Sequence, residues 1–435
     1  EARDEVVAQM FCDREKAEAY GLRAMYMYYL LEAHAGYTED GVLMGVPILT
    51  EPEAAGSNFN VPRSTFVDCM KALKEDARLA LEGLPWEYGD AAEMQRLSAK
   101  YAGADQGKVT RVFGANFIGR MSGKEVEAFV ANAALLTASP AYSDQSGVDW
   151  KTAAASAAKV LNHIGGVDGM DPTGWTWYCN VDDIEKLSPT ESPAEILWRG
   201  ERAKSLSLEE DNFPPTLYGN GRINPTQNLV DAFPMLNGYP VSHLSGEYDE
   251  NLPYANRDPR LEAYILYNGC KAGNTNKEIF TAADGTTNDA LNKVVGRSTR
   301  TGYYLRKLLR QDISLDPNAK ADQYHYTPRI RYTEIFLAYA EAANQAYGPQ
   351  DKGGNGYSAY DVVKKLRHRA GIGRDNGDAY LESIKNDQAK MAELIRNERR
   401  IELCFEGFRF WDLRRWKSNL TETAKGMNIS GTLSP

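Results

Sequence analysis

The chain has 435 residues, 43% of them apolar, and a formal net charge of −10 at neutral pH. That is enough apolar sequence for a substantial core, in one large unit or two or three ordinary ones. The acidic balance argues against sequence-independent nucleic-acid binding, which needs a basic footprint, and no apolar run reaches the roughly 18 residues of a membrane-spanning helix.

In chain order, Tyr20, Ala24, Met27, Tyr28 and Leu31 recur at helical spacing and predict one long helix over residues 14–34, ended by Gly36. Residues 37–62 are a Gly- and Pro-rich connection containing an extended GVPILTEP stretch. Ser64 is the expected N-cap of a second helix, in which Phe66, Met70, Leu73, Ala77, Leu81 and Leu84 repeat at three and four. Two such helices facing across a loop form a hairpin. Alanine-rich helical stretches follow at 110–120 and 126–136. Asp149 then caps a helix that buries Trp150, Ala154, Ala157 and Leu161. Small residues at these positions let neighbouring helices approach closely, as in helical repeats of about 34 residues.

Over residues 165–327 the texture changes. This segment holds 11 of the 19 prolines, a density through which long helices cannot run. Loops, short helices and a few strands such as EILWRG are expected there, packed on the helical repeats. A third hairpin joins 332–347 to 358–370, and a fourth ends in MAELIRNERRIELCFEGFRFWDLRRWK, residues 391–417. Here Met391, Leu394, Ile395, Ile401 and Phe405 share a face with Glu398 and Glu402. Buried carboxylates need cationic partners, and the arginines after Gly407, the expected left-handed cap, are the nearest supply. From Lys364 to Lys417 there are 14 Lys/Arg against 9 Asp/Glu, an excess of five that reads as an ion-pair network or a solvated face.

The run NERRIEL, FEG and FRFWDLRRW resembles the C-terminal signature of the SusD/RagB family of outer-membrane nutrient-binding lipoproteins. Further segments agree in order along the chain: AEAYGLRAMYMYYLL from Ala17, GVPILTEP from Gly45, NVPRSTF from Asn60, NPTQNLVDAF from Asn224, ANRDPRLEAYILYNG from Ala255, TGYYLRKLL from Thr301 and RIRYTEIFLAYAEAANQA from Arg329. The resemblance implies a mainly α fold of TPR-like helical hairpin repeats carrying a loop-rich insertion with short strands and short helices. The expected division is 1–164 and 328–435 as repeats, with 165–327 as the ligand-binding part. It further implies an oligosaccharide or polysaccharide ligand and a SusC-like TonB-dependent transporter as partner. The location implied is the cell surface, through an N-terminal lipid anchor that this sequence does not contain. Family members have further N-terminal helices and a C-terminal tail, so both termini read as incomplete. Cys12 lacks the short apolar box of a lipid site. Peptide-binding members keep the same fold open to a different ligand, and an all-helical glycosidase with two sequence-distant carboxylates is a further alternative.

No catalytic constellation stands out. GADQGKV from Gly103 is one residue short of a phosphate-binding loop, and GNGRIN from Gly219 lacks the third glycine of a dinucleotide fingerprint. The five histidines form no metal-binding motif, and the five cysteines form no C-x-x-C pair, so no cofactor, metal or disulfide framework is expected. That cysteine usage alone favours a reducing compartment, against the resemblance, which covers far more of the chain. Glu398 and Glu402 could pose as an acid/base pair, but arginines nearby would keep both ionised.

What remains is a binding surface. Trp175, Trp177 and Tyr178 in GWTWYCN, Tyr218 in YGNGR and Tyr248 in GEYDEN sit in polar, glycine-containing loops, with Asn220 and Arg222 as hydroxyl partners. A flat ring can cover the apolar face of a pyranose while amides and charges bond its hydroxyls. Packing of the loops' own small core is the competing role for each ring, and Trp198 in EILWRG is assigned to the core.

Overall fold

A computed structural model describes residues 4–188 and 190–430. The scaffold is a set of antiparallel helices: α1 (Glu5–His34), α2 (Phe66–Gly83), α3 (Gly123–Ala138), α4 (Trp150–Asn162), α5 (Tyr332–Tyr347), α6 (Ala359–Arg369), α7 (Gln388–Glu402) and the short α8 (Arg409–Arg415). The fold is mainly α, with TPR-like hairpins and only two-stranded sheets among the described residues.

Several boundaries differ from the sequence reading for local reasons. α1 starts earlier, because the Asp4 carboxylate accepts from the N–H groups of Val6 and Val7. It ends at His34, and Gly36 lies instead in a short strand paired with Met44. Thr65, not Ser64, caps α2, since Ser64 is held extended by backbone bonds to Gly45 and Val46. The helix expected at 110–120 is Gln106–Phe113 followed by a 3-10 turn, Ala115–Phe117. Gly407 is left-handed as expected (φ 89°), but α7 has already stopped at Glu402 and Phe405 is left-handed too.

Close approach explains the small residues. A Cβ placed on Gly83 would stand 2.5 Å from that of Ala17, so α1 and α2 meet almost backbone to backbone. α3 is buried along 14 of its 16 residues and α5 along 12 of 16, which makes these two the middle of the stack, with α4 packed against both. α4 and α5 are separated in sequence by the whole of 165–327, so the repeats continue across that segment as if it were absent. The segment folds onto them with its own apolar clusters, one around Trp177, Tyr264 and Tyr303 and another around Phe213, Tyr304 and Leu309.

A buried ion network ties the two parts together, and it corrects the expected partners of Glu398 and Glu402. Arg260 and Lys307 come from the loop-rich segment, Arg331 from the strand before α5, and Arg367 and Arg369 from α6. They meet the carboxylates of Glu195, Asp258, Asp378, Glu398, Glu402 and Glu406. The arginines that follow Gly407 go elsewhere. Arg414 donates to the last carbonyls of α1, Glu32 and Ala33, and Arg415 pairs with Glu341 and Asp412. Burial pushes the Glu402 carboxyl up, but Arg369, Arg260, Arg331 and Lys307 outweigh it and bring it down to about 2. The loop-rich segment is therefore joined to the repeats by buried ion pairs as well as by apolar contact.

Candidate functional site

The rings singled out in sequence separate into three places. Trp177 and Tyr178 are buried (7% and 5% exposed), the Trp177 ring lying 5.7 Å from Tyr326 and 5.8 Å from Tyr178. The Tyr178 hydroxyl donates to the carbonyl of Ala263, and burial drives its pKa well up. Expected as loop rings open to a ligand, these two are instead core of the loop-rich segment. The reason is long-range: residues 263–267 and 324–326 fold over them. Trp175 is half-buried, and its carbonyl accepts from the Tyr264 hydroxyl. Beside Trp177 and Tyr178 is a partly open pocket of about 340 Å³, lined also by Tyr326, Phe405 and Phe408. The Trp177 Nε1–H is buried there with no acceptor among the described residues.

Tyr218, Asn220 and Arg222 share one loop, and its geometry is different. Tyr218 is 46% exposed and sits at φ 67°, a left-handed conformation that strains a bulky residue by roughly 1 to 3 kcal/mol. The surroundings hold it there. The Tyr218 and Gly219 N–H groups donate to the carbonyls of Pro215 and Pro214, the Gly221 N–H to that of Phe213, and the Arg297 guanidinium to that of Gly219. A Cβ on Gly219 would stand 2.1 Å from the Phe213 carbonyl oxygen, so only glycine lets the chain pass. The Lys277 ammonium lies 5.4 Å from the Tyr218 ring centre, and exposed Arg222 pairs with Asp211 at 3.1 Å. Tyr248 is apart from both groups, half-buried with the Arg257 guanidinium 5.5 Å from its ring.

A feature missed in sequence is a cleft of about 650 Å³ beside the strand pair β1 (Ile196–Arg199) and β2 (Pro328–Arg331). Its wall includes Trp198, whose ring is covered by Arg329 at 4.6 Å, and Tyr324, covered by Arg202 at 4.0 Å. The Trp198 Nε1–H donates to the Gly119 carbonyl, so this ring is core on one side and cleft wall on the other. The only sequence signal was aromatic and basic residues alternating in LWRG and YHYTPRIR, on strands more than a hundred residues apart. Among the described residues no cluster of three or more His, Cys, Asp or Glu could hold a metal ion, and no helix is long and apolar enough to cross a membrane.

Comparison with known proteins places this geometry. A model of the SusD family matches residues 198–432. SusD-like protein P38 of Formosa agariphila is 30% identical over 106 residues, 24% of this chain and only 18% of that protein. Among solved structures, a SusD-like protein from Bacteroides fragilis superposes over 96% of this chain and 70% of its own, with a TM-score of 0.63 at 24% identity. A SusD-like carbohydrate binding protein from the same species does so over 93% and 67%, with a TM-score of 0.64 at 22% identity. At such identities the superpositions speak for the fold.

Proposed function

The chain belongs to the SusD family, and from that membership we propose that it is a non-catalytic glycan-binding protein of the outer-membrane surface. It captures an oligosaccharide or polysaccharide for a TonB-dependent transporter, to which a lipid anchor keeps it close. Residues 165–327 carry the ligand, and the repeats on either side of them form the scaffold.

The observation that carries the reading is the Tyr218 loop: an exposed ring, fixed by backbone hydrogen bonds in a strained conformation, with Asn220, Arg222 and Lys277 around it. Preorganisation of this kind lowers the entropy lost on binding. Stacking of a pyranose on Tyr218, with hydroxyls bonded by Asn220 and Arg222, is the contact assigned. Trp175 and Tyr248 contribute as half-exposed edges, and Trp177 and Tyr178 act by holding the loops that present them. Support also comes from the Bacteroides fragilis neighbour described as carbohydrate binding.

Calorimetric titration against a glycan panel tests this. Tyr218→Ala should weaken binding of the best glycan by about 1 to 2 kcal/mol, roughly ten-fold, with melting temperature unchanged. Undiminished binding removes the loop from the site, and release of smaller sugars by the pure protein overturns the non-catalytic reading.

A further inference from the structure

Of the basic residues at the C-terminal end, Arg367, Arg369, Arg399 and Arg415 enter buried ion pairs, whereas Arg396, Arg400 and Arg409 do not. Arg396 and Arg400 lie one turn apart on α7, and Arg409 opens α8. With Asn419, Glu422 and Leu413 they line a cavity of about 430 Å³ on the scaffold. Their contacts are weak. Glu422 stands 4.0 Å from Arg400, and Arg396 lies 5.1 Å from the centre of the Trp416 ring. Among the described residues, none of the three guanidinium groups donates a hydrogen bond to the protein, although each carries five donors. Arg399, next to Arg400 in sequence but on the buried side of α7, is by contrast held at 3.0 Å from Asp412. Burial lowers the pKa of Arg400, and repulsion from Arg409 adds to it; burial lowers that of Arg409 as well. Two carboxylates, Glu393 and Glu422, line the same cavity, so the three half-buried cations outnumber them there and leave unused hydrogen-bond donors for something outside the chain.

We propose that this cavity binds an oxyanion, the sulfate ester or carboxylate of an acidic sugar, gripped by Arg396, Arg400 and Arg409. The guanidinium fork matches both groups and can bond two of their oxygens at once. The cavity is large enough for a sugar ring as well as its anion, and Asn419 offers a neutral donor and acceptor beside the arginines. The sugar part rests on the glycan-binding reading above, whereas the anion part stands on the arginines alone. The ligand class is thereby narrowed from glycans in general to acidic ones.

Titrate the protein with a sulfated galactan oligosaccharide, its desulfated parent and sodium sulfate, at low and high sodium chloride. The sulfated form should bind at least about ten-fold tighter than the parent, with the advantage shrinking as salt rises and sodium sulfate competing for it. An Arg400→Gln/Arg409→Gln double variant should lose that advantage while still binding the parent. If the double variant melts early, the single Arg396→Gln variant should still reduce the advantage. Equal affinity for the two oligosaccharides, an advantage that survives in the variants, or no competition by sulfate overturns the proposal. Binding of sodium sulfate with no binding of either oligosaccharide would instead overturn the glycan reading and the sugar part and leave the anion site standing.

Discussion

The GWTWYCN and YGNGR loops look alike in sequence, each setting aromatic rings among glycines and polar residues, yet the structure treats them oppositely. Trp177 and Tyr178 are covered by Tyr326 and by the Tyr264 region, whereas Tyr218 projects from a loop that its own backbone bonds hold rigid. The difference teaches that loop composition does not decide exposure where a segment has few long helices. Partners such as residues 263–267 and 324–326, far along the chain, decide it.

The sharpest way to break that contrast is Trp177→Ala. Deleting a buried Trp ring costs roughly 3 to 5 kcal/mol, here near the lower end because an unpartnered Nε1–H is removed with it. Denaturant unfolding should show the loss, while Trp177→Phe, which keeps a ring and drops the unpartnered N–H, should cost far less. A Trp177→Ala protein as stable as the wild type would put the ring back on the surface.

Glu402→Ala tests the joint between the two regions. Its carboxylate touches Arg260, Arg369 and Arg331 at 3.0, 3.4 and 3.8 Å. Each arginine keeps another partner, so the expected loss is about 3 kcal/mol, the low end for a broken buried pair. The exposed Glu51→Ala should cost nothing measurable by the same denaturation assay. The pH sign follows from the depressed pKa: the contribution of Glu402 is present above the ordinary carboxylate range and lost as pH falls towards 2.

These effects also mark how far the sequence could be read. Helices built on periodic apolar residues, such as 332–347, were legible because their burial is set by neighbours three and four residues away. The charged face of α7 was legible too, since Glu398 and Glu402 sit among apolar positions. Their partners were not, because Arg260 and Arg331 arrive from 138 and 71 residues earlier in chain order. The Trp198 cleft was hidden for the same reason. Its two strands are adjacent only after the whole loop-rich segment has folded.

Glu334 on α5 has the opposite sign to Glu402. Burial pushes its pKa up to about 7, with only the Asn132 amide and more distant arginines opposing. The folded state therefore holds the proton more tightly than the unfolded chain. Stability from this group is full below the ordinary carboxylate range and is lost as pH rises through about 7, by on the order of 3 kcal/mol. Glu334→Gln should remove that part of the fall in melting temperature between about pH 5 and pH 8. An unchanged pH profile would mean that Glu334 is already ionised in the scaffold.

The smallest expected effect concerns the N-cap of α2, which the sequence reading places one residue early, at Ser64. Ser64 and Thr65 are both good N-caps, and composition cannot choose between them. The structure chooses by what each backbone does first. Ser64 bonds Gly45 and Val46 through its own N–H and C=O, which keeps it in the extended connection. Thr65 can then offer its hydroxyl oxygen to the Asp68 N–H at 3.1 Å and donate to the Asp68 carboxylate at 2.7 Å, so that cap and first turn bond each other. Thr65→Ala removes both bonds at an exposed site and should cost about 1 kcal/mol in equilibrium unfolding. Ser64→Ala removes neither and should lie within roughly 0.5 kcal/mol of the wild type. Equal losses from the two substitutions would show that α2 can start at either residue and that the bonds of Ser64 to Gly45 and Val46 do not hold it out of the helix.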